Sequence, residues 1–309
     1  MSLSALSPET QALTRRVTAL SVAVAAVLIV VKTLAWLASG SVAMLASLSD
    51  SGLDLIASLI TFFAVRYAAE PPDAEHRFGH GKAEAFSSLM QGGLVFASGA
   101  LIGQEAIRAM FNPRPVEQGL LAMAVMAVSI ALTLALIVAQ SKVLRSTGSI
   151  AISGDRAHYA ADLGSNAVAL IGIGAAAFLG IVWLDAVAGL IVALWLIWGA
   201  IGVFREAASQ LMDRELPDED RKRIVALATE DPRVLGVHQL RTRASGPYVH
   251  MQMHADLEAG ISLAEAHTIM VNAENRLLEA FPAADIIIHP DPRGKAESHG
   301  GLFAEAHHG

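Results

Sequence analysis

Cysteine is absent from all 309 residues, which excludes disulfides and thiolate-held metal together. Any bound metal must then be held by His, Asp or Glu, and eleven histidines become worth following. Charge is scarce, at 17% of residues, and basic charge scarcer, with 22 Lys and Arg against 29 Asp and Glu. A net charge of −7 argues against nucleic acid as a partner and suits the handling of cations. No His-Glu-x-x-His occurs, so the metalloprotease signature is missing. What the chain has is apolar surface. Hydrophobic residues make up 54% and mean hydropathy is +0.49, too apolar for an ordinary soluble domain. The composition predicts an integral membrane protein.

Six apolar runs are long enough to cross a ~30 Å hydrocarbon core: 17–38, 42–69, 83–110, 119–139, 150–179 and 185–204. The first is too long for the apolar stretch of a leader, so no cleavable signal peptide is expected. It is interrupted by Lys32, whose pattern alone suggests no role. In the third, Gly99 and Gly103 stand at the small-xxx-small spacing of closely packed helices. A short polar tail, 1–14, precedes the six-helix domain, 15–210.

Two of the runs carry ionised side chains in matched pairs. Residues 47–54 read Ser-Leu-Ser-Asp-Ser-Gly-Leu-Asp and residues 155–162 read Asp-Arg-Ala-His-Tyr-Ala-Ala-Asp. Asp50 and Asp54, like His158 and Asp162, are four apart, so each pair shares one helix face. An ionised side chain near the bilayer centre costs ~2.5–3.5 kcal/mol, which a bound cation or protons would relieve. Two such helices facing one another would surround one divalent ion with three carboxylates and an imidazole.

Lys and Arg set the orientation. With six spans, one side receives Arg15, Arg16, Arg66, Arg77, Lys82, Lys142, Arg145, Arg156 and Arg205, the other only Arg108 and Arg114. Both termini are therefore expected in the cytoplasm. After Arg205 the composition turns polar, and the segment 211–292 reads α, β, β, α, β. The expected helices lie at 217–230 and 262–281, and alternating strands at 234–243 and 248–257 flank Ser-Gly-Pro, with a short strand at 285–289. Two helices on one face of a three-stranded sheet make a small α+β module. Residues 293–309, with His299, His307 and His308, are expected to be disordered.

Ser-Asp-Ser-Gly-Leu-Asp on the second span, His-Tyr-Ala-Ala-Asp on the fifth, Phe-Gly-His-Gly-Lys-Ala-Glu after the second, and the C-terminal αββαβ module together resemble the cation diffusion facilitator family. Within it the chain is similar to bacterial zinc and ferrous-iron efflux transporters over about residues 10–292. That resemblance implies a homodimer in the bacterial inner membrane exchanging cytoplasmic Zn2+, Cd2+ or Fe2+ for protons, with no organic cofactor and no enzymatic activity. Carried over by position, it implies a transport site of Asp50, Asp54, His158 and Asp162. It further implies a loop site of Asp73, His76 and His80, and a cytoplasmic regulatory zinc site of His238, His254, His267, His289 and Asp291. Lys82 and Asp213 match a charge pair that links the two domains in the family. Two other expectations stand beside export of zinc: an Fe2+ or Mn2+ exporter with the same donors, since the oxygen-rich set accepts several divalent ions, and a membrane-tethered metal sensor that would use the tail alone. An intramembrane metalloenzyme is a weaker rival, because four protein ligands leave no open position for a catalytic water.

Overall fold

A computed structural model describes residues 8–39, 42–111, 120–179 and 183–295. Arg114 and the histidines of the terminal tail lie outside the described residues. The chain divides into two compact units, Pro8–Ser209 and a second beginning at Gln210.

The first unit is built of α1 (Pro8–Ser39), α2 (Val42–Ala68), α3 (Lys82–Phe111), α4 (Leu120–Thr147), α5 (Ile150–Leu179) and most of α6 (Trp183–Leu211). Residues 8–14, read as tail from their polarity, are helical. The Thr14 hydroxyl donates to the Thr10 carbonyl at 2.9 Å, and one turn on Thr18 donates to the Thr14 carbonyl at 3.1 Å. Among the described residues, five helical segments are long and apolar enough to cross a membrane: Thr10–Ser39, Ser47–Ala68, Lys82–Phe111, Met123–Thr147 and Ala186–Leu211. The remaining helix, α5, is 30 residues long but carries Asp155, Arg156, His158 and Asp162.

Helix α1 packs on α2 and α4, and α5 lies against α3 and α4. Small residues permit the closest approaches. A Cβ on Gly154 of α5 would stand 2.9 Å from Ser88 Oγ and 3.0 Å from Ser88 Cα of α3, so glycine is the residue that lets these two backbones meet. Gly99 and Gly103 face α6, where a Cβ on Gly99 would come within 3.1 Å of Ile197.

Polar groups inside this unit are joined across helices. Gln140 of α4 donates to Ser21 Oγ of α1 at 3.1 Å and to Asp155 Oδ2 of α5 at 2.8 Å. Gln91 of α3 donates to the Ala57 carbonyl and to Thr61 Oγ1 of α2, both at 2.9 Å. Tyr159 donates its hydroxyl to the Ser21 carbonyl and pairs with Ser58 Oγ at 2.7 Å. Buried bonds of this kind favour this helix arrangement, because breaking one leaves its donor unpaired in the interior.

The second unit contains α7 (Asp218–Ala228), β1 (Val234–Ser245), β2 (Tyr248–Leu257), α8 (Leu263–Ala280) and β3 (Ala284–Pro292). The strand order is β1-β2-β3, with β1 antiparallel and β3 parallel to β2. A parallel return needs a crossover, and α8 supplies it. Ser262 caps α8 by accepting from the Glu265 N–H. Val249, Met251, Met253, Ala255 and Leu257 alternate along β2 and bury one face against Ile224 of α7 and Ile269 and Leu277 of α8. The opposite face of the sheet carries the histidines.

Candidate metal centres

Three groups of His and Asp converge among the described residues: Asp54, His158 and Asp162; Asp73, His76 and His80; and His238, His254 and Asp291, each with donor atoms within 4.8 Å of one another.

The first lies between α2 and α5. His158 Nε2 stands 3.2 Å from Asp54 Oδ1 across the helix interface and 3.9 Å from Asp162 Oδ2 one turn along its own helix. His158 is almost fully buried and both carboxylates are partly so. Asp162 Oδ2 and His158 Nδ1 are buried without a hydrogen-bond partner. A buried acceptor with nothing to accept from costs ~1–3 kcal/mol, which a cation would offset. Asp50, one turn earlier on α2, is exposed and stands apart from this group. Against α2 lies a residue that the sequence alone did not connect with the site: Lys32 of α1, buried, with Nζ donating to Ser51 Oγ at 2.7 Å and to the Ser47 carbonyl at 3.1 Å.

The second group occupies the link between α2 and α3. Asp73 Oδ1 accepts from the backbone N–H of His76 at 2.6 Å and of Glu75 at 2.9 Å, folding the link into an Asx turn. Those backbone donors, the His76 N–H first, hold the Asp73 carboxyl below the usual range in spite of some desolvation. The other oxygen faces His80 Nε2 at 3.3 Å, and His76 Nδ1 is 3.4 Å from Asp73 Oδ1. Gly79 takes φ 78°, a left-handed conformation that brings the chain back so that His80 reaches Asp73. His80 is buried and its Nδ1 has no partner.

Register builds the third group. His238 of β1 lies opposite His254 of β2, which lies opposite His289 of β3, and Asp256 and Asp291 form the next aligned pair. Asp291 Oδ2 is 2.8 Å from His254 Nδ1 and 3.3 Å from His238 Nε2, while its Oδ1 is 3.3 Å from His289 Nε2. Burial alone would raise the Asp291 carboxyl, but the His254 hydrogen bond and the neighbouring imidazoles outweigh it and hold it low. Asp256 also approaches His238, at 3.6 Å, an additional donor found only from the strand register. Beyond His238 the strand bulges, with Gln239 at φ 50°. A cavity of ≈ 300 Å³ opens there, lined in part by Gln239, His254 and His289. His267 is exposed on α8 and joins none of the three groups.

The supports around these groups come from far along the chain. Glu84, last residue of the Phe-Gly-His-Gly-Lys-Ala-Glu stretch, is buried in α3. It accepts from Ser149 Oγ at 2.6 Å and from the backbone N–H groups of Ile150 and Ala151, capping the helix that carries His158.

Comparison with known proteins gives two family matches covering nearly the whole chain. Residues 18–212 match the cation efflux transmembrane domain, and residues 216–293 match the cytoplasmic domain of cation efflux proteins. The cation-efflux pump FieF of Shewanella oneidensis is 43% identical over 272 residues, 88% of this chain and 92% of its own. That of Yersinia pestis strain Pestoides F is 38% identical over 270 residues, 87% and 90% respectively. Among solved structures, a candidate zinc transporter, CzrB, in its zinc form is 34% identical and covers 28% of this chain and 98% of its own, with a TM-score of 0.26.

Proposed function

Because this chain belongs to the cation diffusion facilitator family, we propose that it exports a divalent metal cation, Zn2+ foremost with Cd2+ or Fe2+ as further cargo, in exchange for protons. It works as a homodimer in the bacterial inner membrane, with α5 as a sixth span and both termini in the cytoplasm. The observation that carries this reading is the meeting of Asp54, His158 and Asp162 inside a bundle of apolar helices.

Ion and proton compete there for the same lone pairs, since a ligating imidazole or carboxylate must be deprotonated. Facing the cytoplasm, the group takes up the ion. Once the helices rearrange around it, external protons replace the ion on the same atoms and return with the carrier. Histidine suits such an exchange, because its ordinary pKa of ~6.5 lies close to working pH. Asp50 sits one turn from Asp54 on the same α2 face and completes a four-ligand shell when the helix turns or shifts toward the ion.

The His238, His254 and Asp291 group, with His289 beside it, binds cytoplasmic metal and regulates the carrier. Occupancy there stabilises one arrangement of the cytoplasmic unit, and linkage then ties export to metal abundance.

Zinc uptake into proteoliposomes under an imposed pH gradient tests the reading, with the intact chain set against Asp54→Ala. Uptake that depends on the gradient and disappears in the variant is expected. Uptake by Asp54→Ala equal to that of the parent would place transport elsewhere.

A further inference from the structure

We propose that Lys32 determines affinity and turnover at the α2–α5 group: its ammonium is a tethered cation that keeps the site from holding a divalent ion too tightly. The inference rests on reading that group as the transport site.

The position itself calls for explanation. Lys32 interrupts an otherwise apolar run of α1 and is buried, and ionisable side chains at such depth are rare outside functional sites. A lysine that merely tolerated the bilayer would extend toward the headgroups. This one is directed inward and held. Its Nζ donates to Ser51 Oγ at 2.7 Å and to the Ser47 carbonyl at 3.1 Å, both on the stretch of α2 that carries Asp50 and Asp54. Ser51 is itself fully buried, so its hydroxyl gives the ammonium a fixed seat.

From that seat Lys32 interacts electrostatically with Asp54, Asp162 and Asp50, while its hydrogen bonds go to a hydroxyl and a carbonyl and not to a carboxylate. The carboxylates thus keep their oxygens for another partner. In formal charge, once Asp50 has joined Asp54 and Asp162 around the ion, three carboxylates and one ammonium sum to −2, which a single divalent ion balances. Without the ammonium, the same ion would leave an uncompensated −1 and be held the more strongly. Repulsion between a fixed unit charge and a divalent ion within ~10 Å of it, at the effective dielectric of protein interiors, changes affinity by roughly tenfold or more. A carrier gains from that repulsion because an ion bound too tightly is not released.

The competing role is mechanical: Lys32 as a strut joining α1 to α2. The two roles separate by charge and hydrogen bonding. Lys32→Met keeps the stem and removes both, Lys32→Gln removes charge but keeps a donor for Ser51, and Lys32→Arg keeps charge. The full chain and each variant, checked for a single folded peak by size exclusion, are reconstituted. Initial rates of zinc uptake are then measured against zinc concentration at pH 8, where protons compete least.

A tethered cation predicts that Lys32→Met and Lys32→Gln both lower KM about tenfold and lower kcat by a comparable factor, with Lys32→Arg close to the parent. KM unchanged or raised in Lys32→Gln overturns the proposal, as does recovery of parental kinetics by Lys32→Gln, which would identify a strut. Lys32→Gln also decides the matter if Lys32→Met does not fold. Failure of the underlying transport reading looks different: the parent itself would take up no zinc, or Asp54→Ala would match it.

Discussion

Glu84→Ala should destabilise the membrane unit more than any loss of surface charge. The first turn of a helix leaves backbone N–H groups without intrahelical acceptors, and for α5 a carboxylate from α3 takes that place. Glu84, 4% exposed, accepts from Ser149 Oγ at 2.6 Å and from the Ile150 and Ala151 N–H groups. Truncation leaves these donors facing an empty interior. Each buried unsatisfied donor costs ~1–3 kcal/mol and a lost cap ~0.5–2 kcal/mol; these overlap, so a total of ~3–5 kcal/mol is expected. For a unit of this size that corresponds to a fall of ~10 °C in apparent Tm. Glu84→Gln retains an acceptor and loses only the charge assistance, about 1–2 kcal/mol. The assay is survival of the monodisperse peak after stepwise heating in detergent. An Ala variant within about 2 °C of the parent, or a Gln variant as weak as Ala, would refute the capping argument.

Three further expectations follow from the same geometry. Gly154→Val drives a Cβ to 2.9 Å from Ser88 Oγ and 3.0 Å from its backbone Cα, an overpacking that costs ~1–3 kcal/mol or more; it should lower Tm and uptake together, whereas the same change at Gly199, which has open space around it, should do neither. His254→Ala with Asp291→Asn removes two of three converging donors of the C-terminal unit, and zinc stoichiometry by equilibrium dialysis should fall while the Asp54-dependent uptake persists; an unchanged stoichiometry contradicts the assignment. Near the start of β1, Asp231 accepts from the Arg233 guanidinium and backbone, which pull its carboxyl down to about 2. The folded pKa is the lower one, so this stabilisation is complete above ~4 and is lost as pH falls toward 2. Solvent screening limits it to ~0.5 kcal/mol. Asp231→Asn should therefore trail the parent slightly at pH 7 and converge with it near pH 2; a gap of constant size at every pH would exclude the ion pair.

Much of the site was legible because helical spacing is local. Asp54, His158 and Asp162 announced themselves as acids and an imidazole one turn apart in apolar runs, and the structure gathers them. Asp50 shares that face, yet one turn displaces it ~5–6 Å along the axis, and sequence spacing says nothing of which turn meets the other helix. Lys32 could not be assigned from sequence, since its meaning depends on the rotation of α1 against α2, fixed by Ser47 and Ser51. The same holds for Glu84, whose partners lie 65 residues away. In the C-terminal unit, alternation marked the strands, but the bulge at Gln239 and the alignment of Asp256 with Asp291 are properties of pairing and not of either strand. Residues 8–14, expected as tail from their polarity, are helical, and the Thr14 hydroxyl donates to the Thr10 carbonyl of the same helix.

The parallel pairing of β2 with β3 ties the fate of the histidine row to that of the core. Along β3, Ile286 and Ile288 pack inward, while Asp285, Ile287, His289 and Asp291 occupy the alternate positions. Both sets are written in one parity, odd for the open face and even for the core. A one-residue slip of β3 against β2 would swap the two faces, sending His289 and Asp291 toward the helices and Ile286 and Ile288 toward the open side. The histidine row is therefore locked to the core: a strand that has lost its alignment has also lost the apolar contacts of Ile286 and Ile288 that hold β3 in the sheet.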